Sequence, residues 1–132
     1  MKRNIKLFGM IATLALVLTA CGSSSGTNSK LGAADFSAKT QEAGVVTIDV
    51  RTAGEFMTGH VQGAINIDVE GMQFDTEIAK LDKSVTYAVY CKSGRRSGIA
   101  TAAMADAGFT SLFDLEGGVG AWSAAGLTLV NQ

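Results

Sequence analysis

The chain of 132 residues contains no proline, one histidine, two cysteines and 7% aromatic residues. Without proline no turn is stiffened by a pyrrolidine ring, so tight turning falls to the 16 glycines. One histidine and two widely separated cysteines make no metal-ligand constellation, and no phosphate-binding P-loop pattern occurs, so the sequence implies no cofactor. There is no internal repeat. An excess of positive charge is also missing. The first 21 residues hold Lys2, Arg3 and Lys6 and no acid, which leaves eight basic against twelve acidic residues in the remainder, a net of −4. Such a surface gives no reason to expect nucleic acid or an anionic membrane face as partner. Any anion must be held by a local site.

What is present divides the chain in three. Residues 1–20 read as a secretory signal: a basic start, then the uncharged run Leu7–Ala20, which at 14 residues is short of the roughly 20 that cross a bilayer. The alternative for this segment is an uncleaved membrane anchor. The run closes on Leu18-Thr-Ala-Cys21, which resembles the lipobox of bacterial lipoproteins. That resemblance implies cleavage before Cys21, lipidation of Cys21, and an extracytoplasmic domain anchored to a membrane of the cell envelope. Residues 21–31, with Gly22–Ser29 rich in Gly and Ser, read as the lipidated cysteine and a flexible tether. Residues 32–132 are long enough for one domain that folds without disulfides. A Cys21–Cys91 disulfide is the plain alternative in an exported protein.

Within the domain, apolar runs alternate with helical segments. Strands are expected at Val45–Val50, Ala64–Ile67, Val85–Tyr90, Ser111–Leu115 and, closing the chain, Leu127–Val130. Helices are expected at Asp35–Gln41, Thr52–Met57, Asp75–Leu81, Ser97–Ala107 and Gly118–Ala124. Alternation at this spacing predicts an α/β fold, a mainly parallel central sheet with helices on both faces. Val85–Tyr90, β-branched, aromatic and uncharged, is expected to be central. Ligand sites in such folds lie beyond the carboxyl ends of strands, which is where Cys91 stands.

The segment Cys91-Lys92-Ser93-Gly94-Arg95-Arg96 therefore places a thiol between a central strand and a helix start, with a Gly-containing turn and three cations. Backbone N–H groups in such a turn can converge on the sulfur. Together with the cations they favour the thiolate of a group whose free pKa is about 8.5. The bland alternative is a buried structural cysteine beside a solvated basic turn. Asp49 and Arg51, at a strand end, either orient the loop or substrate or form a structural pair. His60 is either a general base or a turn residue satisfying backbone groups; an already ionised thiolate needs no base. Trp122 reads as core.

Cys91-Lys-Ser-Gly-Arg-Arg96 resembles the Cys-x-x-Gly-x-Arg loop of rhodanese (thiosulfate sulfurtransferase) domains. Ile48–Phe56, Gly59–Asn66 and Leu115–Trp122 resemble that family's other signatures in the same order, so the likeness covers about residues 35–130. It implies sulfur transfer through a Cys91 persulfide, from a small anionic donor such as thiosulfate to cyanide, a thiol or a sulfur-accepting protein. Lys92, Ser93, Gly94, Arg95 and Arg96 would cradle the anion. Other classes remain: a persulfide carrier or binding module with little turnover, and a thiolate phosphatase or arsenate reductase. Ala53 and Gln62 replace prolines common in the family, which implies a more flexible unfolded chain.

Overall fold

The computed structural model describes residues 26–132. Ten elements alternate along them: β1 (Thr27–Leu31), α1 (Ala33–Thr40), β2 (Val46–Asp49), α2 (Ala53–Thr58), β3 (Ile65–Asn66), α3 (Phe74–Ala79), β4 (Tyr87–Tyr90), α4 (Arg95–Asp106), β5 (Ser111–Leu115) and α5 (Gly118–Ala124). The strands form one sheet in the order β1-β5-β4-β2-β3, and every neighbouring pair is parallel. β4 lies in the middle with all four residues buried, as its uncharged β-branched and aromatic sequence requires.

Side-chain alternation in the sheet splits the core in two. Ile48, Tyr87, Val89 and Leu112 pack with Phe74 and Ile78 of α3 and Ala100 and Met104 of α4. Ala88, Tyr90 and Leu115 pack on the other side with Phe36 of α1 and Trp122 of α5. Burying both faces of the sheet places the loops beyond its carboxyl edge at the end of two rigid layers. Among the described residues no helix is long and apolar enough to cross a membrane.

Two expectations are corrected. Thr27–Leu31 is not tether but strand, paired with Ser111–Leu115. It covers the backbone groups of β5 that would otherwise form a sheet edge, and its largely exposed side chains hide it from any hydrophobic pattern. Residues 1–25, on which the expected signal segment and the lipidation of Cys21 fall, lie outside the described residues. At the other end, Leu127–Val130 does not join the sheet. Only Val130 forms a β-bridge, antiparallel with His60, while Leu127 and Leu129 lean on the Phe36–Trp122 cluster and the Thr128 carbonyl accepts from Trp122 Nε1 at 3.0 Å. The run is a strap held by side-chain burial.

Candidate active site

Cys91 follows β4 directly and is buried on the α4 side of the sheet. Three residues later Gly94, at φ +99°, turns the chain into α4. A side chain at that φ is strained, and a Cβ would also stand 3.3 Å from the Gly117 nitrogen. The turn carries the Gly94 N–H to 3.0 Å from Cys91 Sγ, and Ser97 Oγ, one turn into α4, lies 3.4 Å from the same sulfur. Burial pushes the thiol pKa up. Hydrogen bonds from the Ser97 hydroxyl and backbone, and from the Gly94 and Ser93 backbone, outweigh it, and the pKa lies below the ordinary value.

The N–H side of the loop faces the sulfur because its carbonyl side is tied elsewhere. The Val119 N–H donates to the Cys91 carbonyl at 3.0 Å and the Gly120 N–H to the Lys92 carbonyl at 3.3 Å. The start of α5 thus presses on the back of the loop. Gly118 permits this: at φ +58°, a Cβ there would come within 2.5 Å of the Cys91 and Lys92 carbonyl oxygens.

The cations do not act as their sequence positions suggest. Arg96 forks onto Glu55, Nη1 to Oε2 at 2.7 Å and Nη2 to Oε1 at 2.9 Å, with its side chain 14% exposed. Hydrogen bonding to Glu55 is the main influence holding its guanidinium charged, and the Cys91 sulfur is a lesser one. Arg95 is 71% exposed and makes a long 3.4 Å contact with Glu70. Lys92 and Ser93 are exposed. Hydrogen bonding from the loop and Ser97, more than direct contact with three cations, therefore favours the thiolate.

Asp49 and Arg51 are brought together with each other and not onto the loop. Arg51 Nη2 meets Asp49 Oδ2 at 2.6 Å and the Gly59 carbonyl at 2.7 Å. Tyr90 donates to Asp49 Oδ2 at 2.7 Å and its hydroxyl accepts the Val61 N–H at 2.9 Å. This buried network clamps the end of β2 to β4 one residue before Cys91, and it satisfies both charges. His60 exchanges backbone bonds with Val130, its Nδ1 lies 3.0 Å from the Phe56 carbonyl, and its ring stacks on Phe56. It is a turn residue. Trp122 is core. A cleft of about 420 Å³ lined by Ser37, Gln62, Trp122 and Thr128, among others, includes no residue of the Cys91 loop; hydrogen-bond geometry, not room, marks the site.

Sequence reasoning passed over Ser97, Glu55, Tyr90 and Gly118. Glu55 had a legible signal, since Thr52-x-x-Glu55 is a capping box. Its second partner, Arg96, is 41 residues away and had none.

The profile of the rhodanese-like domain matches residues 32–125. The chain belongs to the rhodanese-like domain family. The thiosulfate sulfurtransferase PspE of Escherichia coli K12 is 41% identical over 63 residues, which is 48% of this chain and 61% of that protein. The chloroplastic thiosulfate sulfurtransferase 16 of Arabidopsis thaliana is 38% identical over 95 residues, covering 64% of this chain and 79% of that protein. The crystal structure of a rhodanese-related protein from Thermoplasma volcanium superposes with a TM-score of 0.70 at 27% identity, over 80% of this chain and all of that one. The match to the first relative spans less than two thirds of its length.

Proposed function

We propose that this rhodanese-like domain is a sulfurtransferase that works through a persulfide on Cys91, with thiosulfate or a similar anion as donor and cyanide or a thiol as acceptor. The carrying observation is the Gly94 N–H at 3.0 Å from Cys91 Sγ, in a loop whose carbonyls are tied outward. Sγ, as thiolate, attacks the outer sulfur of the donor. A new S–S bond forms, the donor's S–S bond breaks, and sulfite leaves with its electron pair. The loop N–H groups then stabilise the anionic persulfide until the acceptor takes the outer sulfur and Cys91 returns as thiolate.

Two observations favour sulfur transfer over phosphate chemistry. Four residues separate Cys91 from Arg96, so the ring of N–H groups is small. Arg96, the residue that would clamp a phosphoryl group, is already forked onto Glu55. The test is intact mass. Thiosulfate should add one sulfur to the protein, cyanide should remove it as thiocyanate, and Cys91→Ser should do neither while remaining folded. Efficient aryl-phosphate hydrolysis with no response to thiosulfate would refute the reading.

We also propose, from the lipobox-like Leu18–Cys21 alone, that the protein is lipidated at Cys21 and held in the cell envelope. Cys21→Ser should end metabolic labelling with fatty acid and leave sulfur transfer by the purified domain unchanged. A parent protein that takes up no label would end the lipid-anchor reading.

A further inference from the structure

Glu55 and Glu70 are two acids that the sulfur-transfer chemistry above does not use, and both are paired to cations of the Cys91 loop. The parallel register explains why they meet it. Asp49 at the end of β2 stands beside Tyr90 of β4 and Asn66 of β3, so the segments that follow these three strands leave the sheet at one edge. They carry Glu55 in α2, Glu70 in the turn before α3, and Cys91. Glu55 forks onto Arg96 at 2.7 and 2.9 Å. Its Oε2 also accepts the Thr52 N–H and the Thr52 hydroxyl, each at 3.1 Å, so its own helix fixes the carboxylate in front of the arginine. Glu70 makes a looser 3.4 Å contact with Arg95, and both partners are exposed.

Arg96 belongs to the same turn of chain as Gly94 and Ser97, whose N–H and hydroxyl lie 3.0 and 3.4 Å from Cys91 Sγ. Charge at Arg96 therefore bears on any anion bound at the sulfur. The loop offers three cations, Lys92, Arg95 and Arg96. Two are matched by carboxylates from outside the loop, and the thiolate balances the third. What is left to hold a donor is the array of backbone N–H groups, which suits one negative charge. A second charge on the donor finds no surplus of positive charge and must compete with Glu55 for Arg96. We propose that Glu55 is a specificity-determining residue: by engaging Arg96 it makes a sulfane-sulfur donor of single negative charge, such as an organic thiosulfonate, a better substrate than the doubly charged thiosulfate. This rests on the persulfide reading above and narrows its donor. In the favoured step Sγ attacks the outer sulfur of the thiosulfonate and a new S–S bond forms. The donor's S–S bond breaks, and the sulfinate leaves with its electron pair and one negative charge.

The first readout needs no turnover. Iodoacetate, with one negative charge, and neutral iodoacetamide alkylate the same thiolate. The ratio of their rates at Cys91, followed by peptide mass spectrometry, cancels the thiolate fraction and reports the local potential. In the parent this ratio should lie within about threefold of that for a small free thiol. Glu55→Gln removes the charge and keeps an oxygen for the Thr52 and Arg96 donors. It should raise the ratio roughly three- to tenfold at low salt, and added salt should shrink the gain. Glu70→Gln, at an exposed pair, should raise it less. Glu42→Gln controls for net charge and should leave it unchanged, since Glu42 precedes β2 and lies at the opposite edge of the sheet. The second readout is kcat/KM for benzenethiosulfonate over that for thiosulfate, which should fall by a similar factor in Glu55→Gln because thiosulfate carries one charge more. A parent alkylation ratio about tenfold or more above the free thiol's, no change in Glu55→Gln, or an equal rise in Glu42→Gln would each overturn the proposal. If Glu55→Gln does not fold, the parent ratio alone still decides. Turnover with neither donor would sink the persulfide reading, and the alkylation ratios would still decide the role of Glu55.

Discussion

Arg95 and Arg96 are neighbours in sequence with the same charge, and their surroundings separate them. Arg96 is mostly buried in a forked pair with Glu55 and interacts with the Cys91 sulfur. Arg95 is mostly exposed and weakly paired. Removing Arg96 takes away a cation and uncovers a carboxylate, and both changes disfavour an anion on Cys91. Arg96→Ala should therefore raise the Cys91 alkylation midpoint and weaken thiosulfate binding by about 1–3 kcal/mol. Arg95→Ala should cost under about 0.5 kcal/mol, as for other solvent-screened charges. Alkylation rate against pH and the KM for thiosulfate measure the two effects, and equal effects would contradict the geometry. The proposed nucleophile and its loop could be picked out because Cys91, Gly94 and Arg96 lie within six residues of one another. Glu55 could not, because it meets Arg96 only after the sheet has formed.

At the scale of elements, the sequence marked buried structure well and exposed structure poorly. β4 and α4 announce themselves through apolar and helix-forming residues. β1 does not. Thr27-Asn-Ser-Lys-Leu31 has one large apolar residue, and its strand conformation is supplied by backbone pairing with β5. Leu127–Val130 errs the other way, with a strand-like composition that serves side-chain packing off the sheet. The contact between α5 and the Cys91 loop was legible only as two adjacent glycines. Its test is Gly118→Ala. The added Cβ meets carbonyl atoms of Cys91 and Lys92 at 2.5 Å, and φ +58° is strained for any side chain, so α5 must move off the loop. A loss of roughly 1–3 kcal/mol is expected. Because Val119 and Gly120 would release the loop carbonyls, the KM for thiosulfate should rise as well. Gly120→Ala, with nothing within 4 Å of its Cβ, is the control. A Gly118→Ala protein with the parent denaturation midpoint and parent KM would show that the contact is dispensable.

For the molecule as a whole, Glu55 and Asp114 tie stability to pH in opposite senses. Glu55 joins the start of α2 to the start of α4: Oε2 accepts the Thr52 N–H at 3.1 Å and the Arg96 guanidinium at 2.7 Å. The Arg96 hydrogen bond is the largest cause that lowers its pKa from 4.5 to about 2. An acid with a depressed folded-state pKa contributes stability that is full above its unfolded value and is lost as pH falls through the folded one. The Glu55 contribution is therefore present above about pH 4.5 and disappears toward pH 2; the pair is part-exposed, so solvent screening reduces it to about 1–2 kcal/mol. Asp114 works the other way. Its pKa is raised from 3.8, chiefly by burial, so folding takes up a proton between the ordinary and the raised values. Unfolding free energy must then fall as pH rises through that interval. Urea midpoints across pH should resolve the two. Glu55→Gln should lower stability at neutral pH and flatten the decline between pH 4.5 and 2. Asp114→Asn should gain on the parent as pH rises from 4 toward neutrality, since the amide has no proton to lose. If instead Asp114→Asn tracks the parent at a constant offset across that range, the buried carboxyl ionises in the folded protein as it does in the unfolded chain.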